Sequence, residues 1–200
     1  VPNRDSLFSK ITDAIRDECN IDFNTAFLDG SKFEADANKY KFVWKPTKYH
    51  QKLSDKIRII LSKYELSRNV PETGIIPATT IADKITKFNN LISNIDISDK
   101  SNKEIFKDYE FLKSALIKSL EYEEKEKICG PDRNSYYKTD HDATAMCLKR
   151  DYYSGLGTNT HAAYNTQIIV CKGLIATYYV SQSRSDLKDL IPALDKFYES

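Results

Sequence analysis

The sequence feature that most constrains the fold is a pair of strand-like runs in the last fifth of the chain. Residues 166–171 and 174–180 are rich in β-branched and aromatic side chains, and only Lys172-Gly173 separates them. A two-residue connection with glycine in second place is typical of a tight β-hairpin. We therefore expect the two runs to pair antiparallel.

A third strand signal lies far upstream, in residues 23–37. There the short apolar run Ala26-Phe27-Leu28 ends on an acid, Asp29, and an alternating segment follows. Because an unpaired charge is costly to bury, the Asp29 carboxylate has to face a cleft, a cation or a turn. Asp-Gly between apolar flanks is also a common two-residue hairpin turn. From the residues alone, the turn is the favoured interpretation.

Helical patterns fill most of the chain between these strand signals. Residues 49–66, a segment that begins at Thr79 or Thr80 and runs to Ile95, and residues 103–128 each place apolar side chains three or four apart on one narrow stripe. Pro- and Gly-containing or polar breaks separate them. We expect the three helices to pack on one another as an antiparallel bundle or arm. A coiled coil for a partner is the alternative.

Two further helices are predicted at the ends of the chain. The first is capped by Asp5 or Ser6 and ends near Cys19-Asn20. The last is capped by Ser183 or Ser185. The side chains expected to face inward are Leu7, Phe8, Ile11 and Ile15 in the first helix, and Leu187, Leu190, Ile191, Leu194 and Phe197 or Tyr198 in the last.

The order of these elements predicts an α+β fold: a three-stranded antiparallel meander followed by a helix, interrupted by a large helical insertion. We divide the chain into an N-terminal helix (residues 1–22), a core (23–45 and 162–200), and the insertion with an irregular linker (46–161). A helix after such a meander normally leads to a parallel strand beside the first one. That strand is not found within these 200 residues.

Composition limits the classes of protein to which the chain can belong. No run of eighteen apolar residues occurs, so no membrane span is expected. Cys19, Cys129, Cys147 and Cys171 show no paired spacing, so a zinc site built on Cys129, His141 and Cys147 is not favoured. Reduced thiols suit a cytoplasmic location. The chain lacks a start methionine and a signal peptide, and we expect it to be a piece of a longer protein.

Charge is distributed unevenly, although the net charge is only +1. Residues 38–69 carry nine Lys or Arg against two acids, enough to grip phosphates locally. Lys39, Lys41, Lys45 and Lys48 are the candidate phosphate contacts, and Tyr40, Phe42 or Trp44 could stack on an unpaired base. The equal alternative is that the aromatic side chains belong to the core and the lysines to a solvated edge strand.

Several short segments of the chain match, in the same order, sequence segments of one protein family. They are residues 27–35 with Asp29-Gly30-Ser31, residues 37–44 with Asn38-Lys39-Tyr40, residues 138–146 with Thr139-Asp140-His141-Asp142, residues 163–167, and Ser183-Arg184-Ser185-Asp186 with Leu190-Ile191-Pro192. On these residues the chain resembles bacterial insertion-sequence transposases of the DDE type, over most of its length. The helical middle resembles them least.

The resemblance implies a ribonuclease H-like domain that cuts and joins DNA strands with two divalent cations, Mg²⁺ or Mn²⁺. Two ions about 3.5–4 Å apart can stabilise both the attacking and the leaving oxygen of a phosphodiester, and carboxylates are their preferred ligands. Asp29 would be the catalytic, metal-binding acid, which reverses the preference for a turn. Transposon-end DNA is the implied partner, and the parent protein could be a homo-oligomer.

The resemblance does not supply the remaining catalytic acids. The second Asp and the final Glu are expected beyond Ser200, and Asp186 and Asp189 are explained by the dipole at a helix start. Asp140 and Asp142 fit an Asx-turn or a backbone contact in an irregular loop, and a contact with DNA or a metal is the alternative. With one carboxylate, the chain alone is expected neither to hold the two ions nor to cut DNA. The alternative is a non-catalytic DNA- or protein-binding helical module in which Asp29 lies in a turn.

Overall fold

The computed structural model of the chain describes residues 4–93, 95, 99, 102–155 and 159–199. Its helices are α1 (Arg4–Glu18), α2 (Thr47–Lys63), α3 (Ala78–Ile92), α4 (Lys103–Cys129), α5 (Lys149–Tyr153) and α6 (Asp186–Glu199). Its strands are β1 (Phe27–Glu34), β2 (Phe42–Trp44), β3 (Ser135–Tyr137), β4 (Thr144–Met146), β5 (His161–Cys171) and β6 (Leu174–Ser181). Helices thus combine with antiparallel strands, which is compatible with the expected α+β class.

The main sheet is organised around β5. One edge of β5 pairs with β1 along its whole length, from Phe27 opposite Val170 to Glu34 opposite Ala163. The other edge pairs with β6 and, at its first residues, with the short strand β4. Every pairing is antiparallel, so the predicted three strands are present as β1–β5–β6. β2 and β3 form a second, two-stranded sheet that the predicted meander does not include.

The hairpin between β5 and β6 is confirmed. Its two connecting residues, Lys172 and Gly173, have φ angles of 46° and 87°. Positive φ at both central positions gives a turn whose twist matches that of the flanking strands. A register shift between Ile169 and Val170 shows one irregularity in the pairing.

The two faces of the main sheet differ in their exposure to solvent. Odd-numbered residues of β5 are buried, whereas its even-numbered residues from Tyr164 to Val170 are only half-buried. On the buried face, Ile169 and Cys171 pack with Leu28 of β1 and with Leu194 and Phe197 of α6. The opposite face, which carries the exposed rings of Phe27 and Phe33, we call the open face of the sheet.

The inward face predicted for the last helix is only partly correct. Leu194 and Phe197 do pack against the sheet. In contrast, Leu187 is 80% exposed, and Ile191 and Tyr198 are also exposed. The helix is turned so that Asp189 and Ala193 are its buried residues. Polar contacts to Asp189, described below, set this orientation in place of the apolar stripe.

The predicted face of the first helix is wrong in a similar way. Leu7, Ile11 and Ile15 are exposed, and Thr12 is the buried residue of α1. Phe8 packs edge-on against Tyr178 of β6 at 4.9 Å between ring centroids. The helix therefore contacts the sheet through its Phe8 and Thr12 side, because that side meets the edge of β6.

The chain divides into two compact units. One comprises Val1–Val43 and Ser135–Ser200, and we call it the sheet unit; the other, Trp44–Asn134, is the helical unit. The helical unit has its own core, in which Ile57 and Leu61 of α2, Phe88 of α3 and Leu112 of α4 are fully buried. The expected packing of the three helices on one another is confirmed. The segment from 135 to 161, predicted as part of the insertion, lies in the sheet unit. No helix in the described part of the chain combines the length and apolar character needed to cross a bilayer.

Candidate functional site

Asp29 lies inside a strand. It is the third residue of β1 and pairs with Ile168 of β5, while Gly30 continues the ladder opposite Gln167. The Asp-Gly turn, which was the favoured interpretation from the residues alone, is therefore wrong. The reason is the pairing of β1 with β5 over eight positions, which outweighs the local turn preference of one dipeptide.

The Asp29 side chain projects from the open face of the sheet. It is exposed, and its strand neighbours on that face are Phe27 and Ser31. Within the described residues, no group of three or more His, Cys, Asp or Glu side chains is arranged to hold a metal ion. The described residues therefore do not fit a pair of divalent cations.

Glu34, at the end of β1, belongs to a compact polar cluster. Its Oε1 lies 2.7 Å from Nδ1 of His161, and its Oε2 accepts a hydrogen bond from Arg150 at 2.5 Å. The hydrogen bond from His161 and then that from Arg150 hold the pKa of Glu34 below its usual value. This carboxylate ties the end of β1 to β5 and α5.

The other side of His161 is closed by Asn159 and Asp151. Asn159 donates to Asp151 Oδ1 at 3.1 Å and lies 3.1 Å from Nε2 of His161. Asp151 Oδ2 is 3.0 Å from the same nitrogen but makes no hydrogen bond. Since His161 and Asp151 are buried, the cluster is a structural tie.

Asp140 forms the Asx-turn expected from the sequence. Its Oδ1 accepts from the backbone amides of Asp142 and Ala143 at 3.1 and 3.2 Å, and its Oδ2 accepts from the Tyr164 hydroxyl at 2.6 Å. Burial raises the pKa of Asp140, but the Tyr164 hydroxyl and the two amides outweigh it, so the pKa lies below the usual value. Asp142 accepts from Gln182 at 3.1 Å. Both acids therefore organise the loop.

The start of α6 is anchored by a buried polar group that the sequence did not reveal. Asn165 of β5 donates to Asp186 Oδ1 at 2.8 Å and to Asp189 Oδ2 at 2.9 Å. Ser181 adds a hydrogen bond to Asp189 Oδ2 at 2.6 Å, and Gln167 one to Asp186 Oδ1 at 3.0 Å. A helix-dipole explanation of the two acids is therefore incomplete, because each is also held by strand side chains.

A signal for this group was present in the sequence. Every second residue of β5 from Asn165 to Cys171 is buried, so Asn165 and Gln167 occupy the same face as Ile169 and Cys171. Both amides are fully buried. Polar side chains on the apolar face of a strand need partners, and the next acids downstream are Asp186 and Asp189, at the start of α6. That combination indicates a polar anchor.

The basic candidates divide between the two units. In the sheet unit, Lys39 Nζ lies 3.4 Å from Asn159 Oδ1 and above the Tyr40 ring, whereas Lys41 is exposed. In the helical unit, Lys45 donates to the Gly130 carbonyl at 2.7 Å. Because Gly130 follows the last residue of α4, this lysine satisfies a carbonyl at a helix end. Trp44 and Lys48 are exposed. Lys41 and Lys48 are thus more available to phosphates than Lys45.

The helical unit contains a Ser-His-Glu arrangement. His50 Nε2 lies 2.9 Å from Ser119 Oγ, and His50 Nδ1 lies 3.2 Å from Glu126 Oε2. These distances resemble those of a hydrolytic triad. Ser119 and His50 are, however, completely buried, so no substrate reaches the hydroxyl. The three side chains join α2 to α4.

Comparisons with known proteins give no family for this chain. No family model, no curated protein and no solved structure matches it. Any functional conclusion therefore depends on the residues of this chain and on their geometry.

Proposed function

We propose that the chain is part of a DNA transposase with a ribonuclease H-like core, which as a whole protein cuts and joins DNA strands by phosphoryl transfer. The observation that carries this proposal is the position of Asp29 within a strand at the edge of an antiparallel sheet. A rigid strand can hold a carboxylate to the accuracy that metal-assisted chemistry needs. The ordered resemblance of residues 27–44, 138–146 and 163–192 supports the same conclusion.

The arrangement of elements gives further support. Three antiparallel strands, β1–β5–β6, are followed directly by α6, which packs on their buried face. A helix after β6 leads by the usual right-handed crossover to a strand parallel with β1. The outer edge of β1 is unpaired among the described residues, so it can accept such a strand. That strand is where the family carries its second acid.

The 200-residue chain by itself is not expected to cleave DNA. Asp29 belongs to no group of three or more His, Cys, Asp or Glu side chains among the described residues, and one carboxylate cannot organise two cations. Incubation with supercoiled plasmid and Mg²⁺ or Mn²⁺ should leave the plasmid intact. Cleavage that disappears in Asp29→Asn would contradict this expectation.

Paramagnetic broadening of NMR signals tests the role of Asp29 directly. Millimolar Mn²⁺ binds weakly to a lone carboxylate and broadens the amide signals nearest to it. We expect selective broadening around Asp29 and its partner Ile168, lost in Asp29→Asn and kept in Asp36→Asn. Asp36 is a suitable control because it is an exposed acid of the same unit. Equal broadening in the wild type and Asp29→Asn would refute the metal-binding role.

DNA binding tests the partner. Each lysine that contacts a phosphate contributes roughly 0.7–0.9 to the slope of log K against log salt. Lys41→Met and Lys48→Met should each reduce that slope by about this amount, and Lys45→Met should have less effect because its ammonium is engaged at Gly130. No change in either exposed variant would remove residues 38–48 as a DNA contact.

The helical unit supports the second candidate function. A separate core around Phe88 and Leu112 makes Trp44–Asn134 a compact unit, as a binding module requires. DNA binding that depends on Lys48 alone, together with Mn²⁺ broadening that is independent of Asp29, would favour a non-catalytic module over the transposase.

A further inference from the structure

The sheet unit contains a cavity that the proposed catalytic role of Asp29 does not use. It has a volume of about 210 Å³ and lies beside β1, α5 and the first residue of α6. Gly30 and Lys32 of β1 contribute to it. They alternate with Asp29 along the strand, so they face the opposite side of the sheet. The cavity is therefore separate from the open face.

Two lysines supply positive charge to this cavity. Lys32 extends from β1 and Lys149 from the start of α5. Neither ammonium makes an ion pair or a hydrogen bond with any residue in the described ranges, although acids and lysines elsewhere in the chain pair readily. Two unpaired cations at one cavity can bind an anion with several oxygens, and phosphate is the common biological one.

Two tyrosines supply aromatic surface next to these cations. Tyr152 and Tyr153 of α5 are 73% and 82% exposed, although each carries a large apolar ring. Their ring centroids are 6.0 Å apart and their planes meet at 82°, so the two faces point in different directions. A flat heterocycle can therefore stack on one ring while the edge of the other closes the side. Such stacking tolerates any base.

A fixed carboxylate completes the lining. Asp186 Oδ1 accepts hydrogen bonds from the fully buried amides of Asn165 and Gln167. No described residue donates to its Oδ2, which can accept from a ligand N–H. A carboxylate is the group that pairs with an exocyclic amino group, such as that of cytosine. Two cations, an aromatic face and one acceptor match the three parts of a nucleotide.

Gly30 makes room for this arrangement. A Cβ at position 30 would lie 2.7 Å from both Asp186 Oδ1 and Gln167 Nε2, closer than carbon and such atoms approach. Only glycine lets the carboxylate and the amide sit against the strand at this point. The absence of a side chain at Gly30 is thus part of how the cavity is built.

We propose that this cavity binds a single unstacked nucleotide, with its phosphate on Lys32 and Lys149, its base on Tyr152 or Tyr153, and a base amino group on Asp186. The inference deepens the proposed function, since it names the part of the DNA partner that the sheet unit holds. A free mononucleotide has the same chemistry as an unpaired nucleotide in DNA. The experiment has to separate these two sources.

The test uses fluorescence anisotropy of the full chain with three labelled probes: a short cytidine deoxyoligonucleotide, its duplex, and an abasic oligonucleotide of equal length. We expect the single strand to bind more tightly than the duplex or the abasic strand. Tyr152→Ala/Tyr153→Ala should weaken binding of the cytidine strand roughly tenfold and leave binding of the abasic strand unchanged. Lys32→Met/Lys149→Met should weaken both and reduce the salt slope by about 0.7 for one phosphate.

Matched controls remove general effects of charge and aromatic content. Lys10→Met removes an exposed lysine from α1, and Tyr198→Ala removes a tyrosine that is 81% exposed on α6. Both should bind like the wild type. Cavity variants that bind no worse than these controls, abasic and cytidine strands of equal affinity, or no binding of any probe would each overturn the proposal.

Competition with free deoxycytidine monophosphate separates the two sources. Displacement of the labelled strand at equal nucleotide concentration identifies a free mononucleotide as the ligand, and displacement only at large excess identifies a nucleotide within DNA. If the labelled strand binds but Mn²⁺ does not broaden the signals around Asp29, the proposed function is refuted and the cavity proposal stands. If Mn²⁺ broadens those signals but the strand does not bind, the cavity proposal alone is refuted.

Discussion

Replacing Asn165 by alanine removes the side chain that joins the centre of the sheet to the start of α6. Its amide donates to Asp186 at 2.8 Å and to Asp189 at 2.9 Å. Asp189 is only 3% exposed, so water cannot replace the lost donor. The variant should unfold more easily because a buried carboxylate loses one of its hydrogen-bond partners.

The size of the effect follows from the two hydrogen bonds. Each hydrogen bond to a charged group contributes about 1.5–3 kcal/mol, so two such bonds together contribute about 3–6 kcal/mol. Asp189 keeps Ser181 and Asp186 keeps Gln167, which places the expected loss toward the lower part of this range. We expect about 3 kcal/mol for Asn165→Ala. Asn165→Asp should cost at least as much, because a carboxylate cannot donate and adds like charge beside two acids.

Hydrogen exchange read by mass spectrometry measures this locally, which matters in a chain with two compact units. The free energy of opening for β5 amides should fall by about 3 kcal/mol in Asn165→Ala. Asn24→Ala, an exposed asparagine of the same unit, should change it by less than about 0.5 kcal/mol. If Asn165→Ala and this control open alike, the buried polar anchor does not hold α6 to the sheet.

Three further predictions concern stability. Gly30→Ala should lower the free energy of opening of β1 amides by about 1–3 kcal/mol, because its Cβ would press on Asp186; unchanged exchange would contradict this. The pKa of Glu34 is lowered in the fold from 4.5, so the advantage of the wild type over Glu34→Gln is present above that value and is lost as pH falls through the folded pKa. Urea unfolding between neutral and acidic pH measures the difference in free energy of unfolding between the wild type and Glu34→Gln, and a difference that does not change with pH would contradict this prediction. Phe88→Ala should cost about 3–5 kcal/mol in exchange of α3 amides, and the loss should be absent from β5.

The elements of this fold were predictable where the pattern is local. The β5–β6 hairpin follows from Lys172-Gly173 between two β-branched runs, and α2 and α4 follow from apolar spacing. α2 ends at Lys63, three residues before the predicted end. Short strands such as β4 have too few residues to show a period. They form because β5 offers them an edge, and that information lies in the partner.

Side-chain orientation was less predictable than the elements themselves. The apolar stripe of α6 indicates Leu187 and Ile191 as inward residues, yet the helix buries Asp189. Its orientation depends on Asn165 across the sheet, and a helical wheel does not contain that residue. In the same way, Asp29-Gly30 is a turn signal by itself and a strand only because β5 pairs with it.

The backbone hydrogen bond between the ends of the helical unit has a consequence for how the chain folds. The amide of Lys45 donates to the carbonyl of Asn134 at 2.8 Å, so the residues at which the chain enters and leaves the helical unit lie next to each other. If the helical unit were unfolded, β1 could pair with β5 only by closing a loop that contains every residue between them, and this closure costs chain entropy. Once α2, α3 and α4 have packed, the separation of β1 and β5 is limited by the two short segments that join them to the helical unit. We therefore expect the helices to assemble before the strand that carries Asp29 joins the sheet, with β1 protected last in pulsed-exchange refolding.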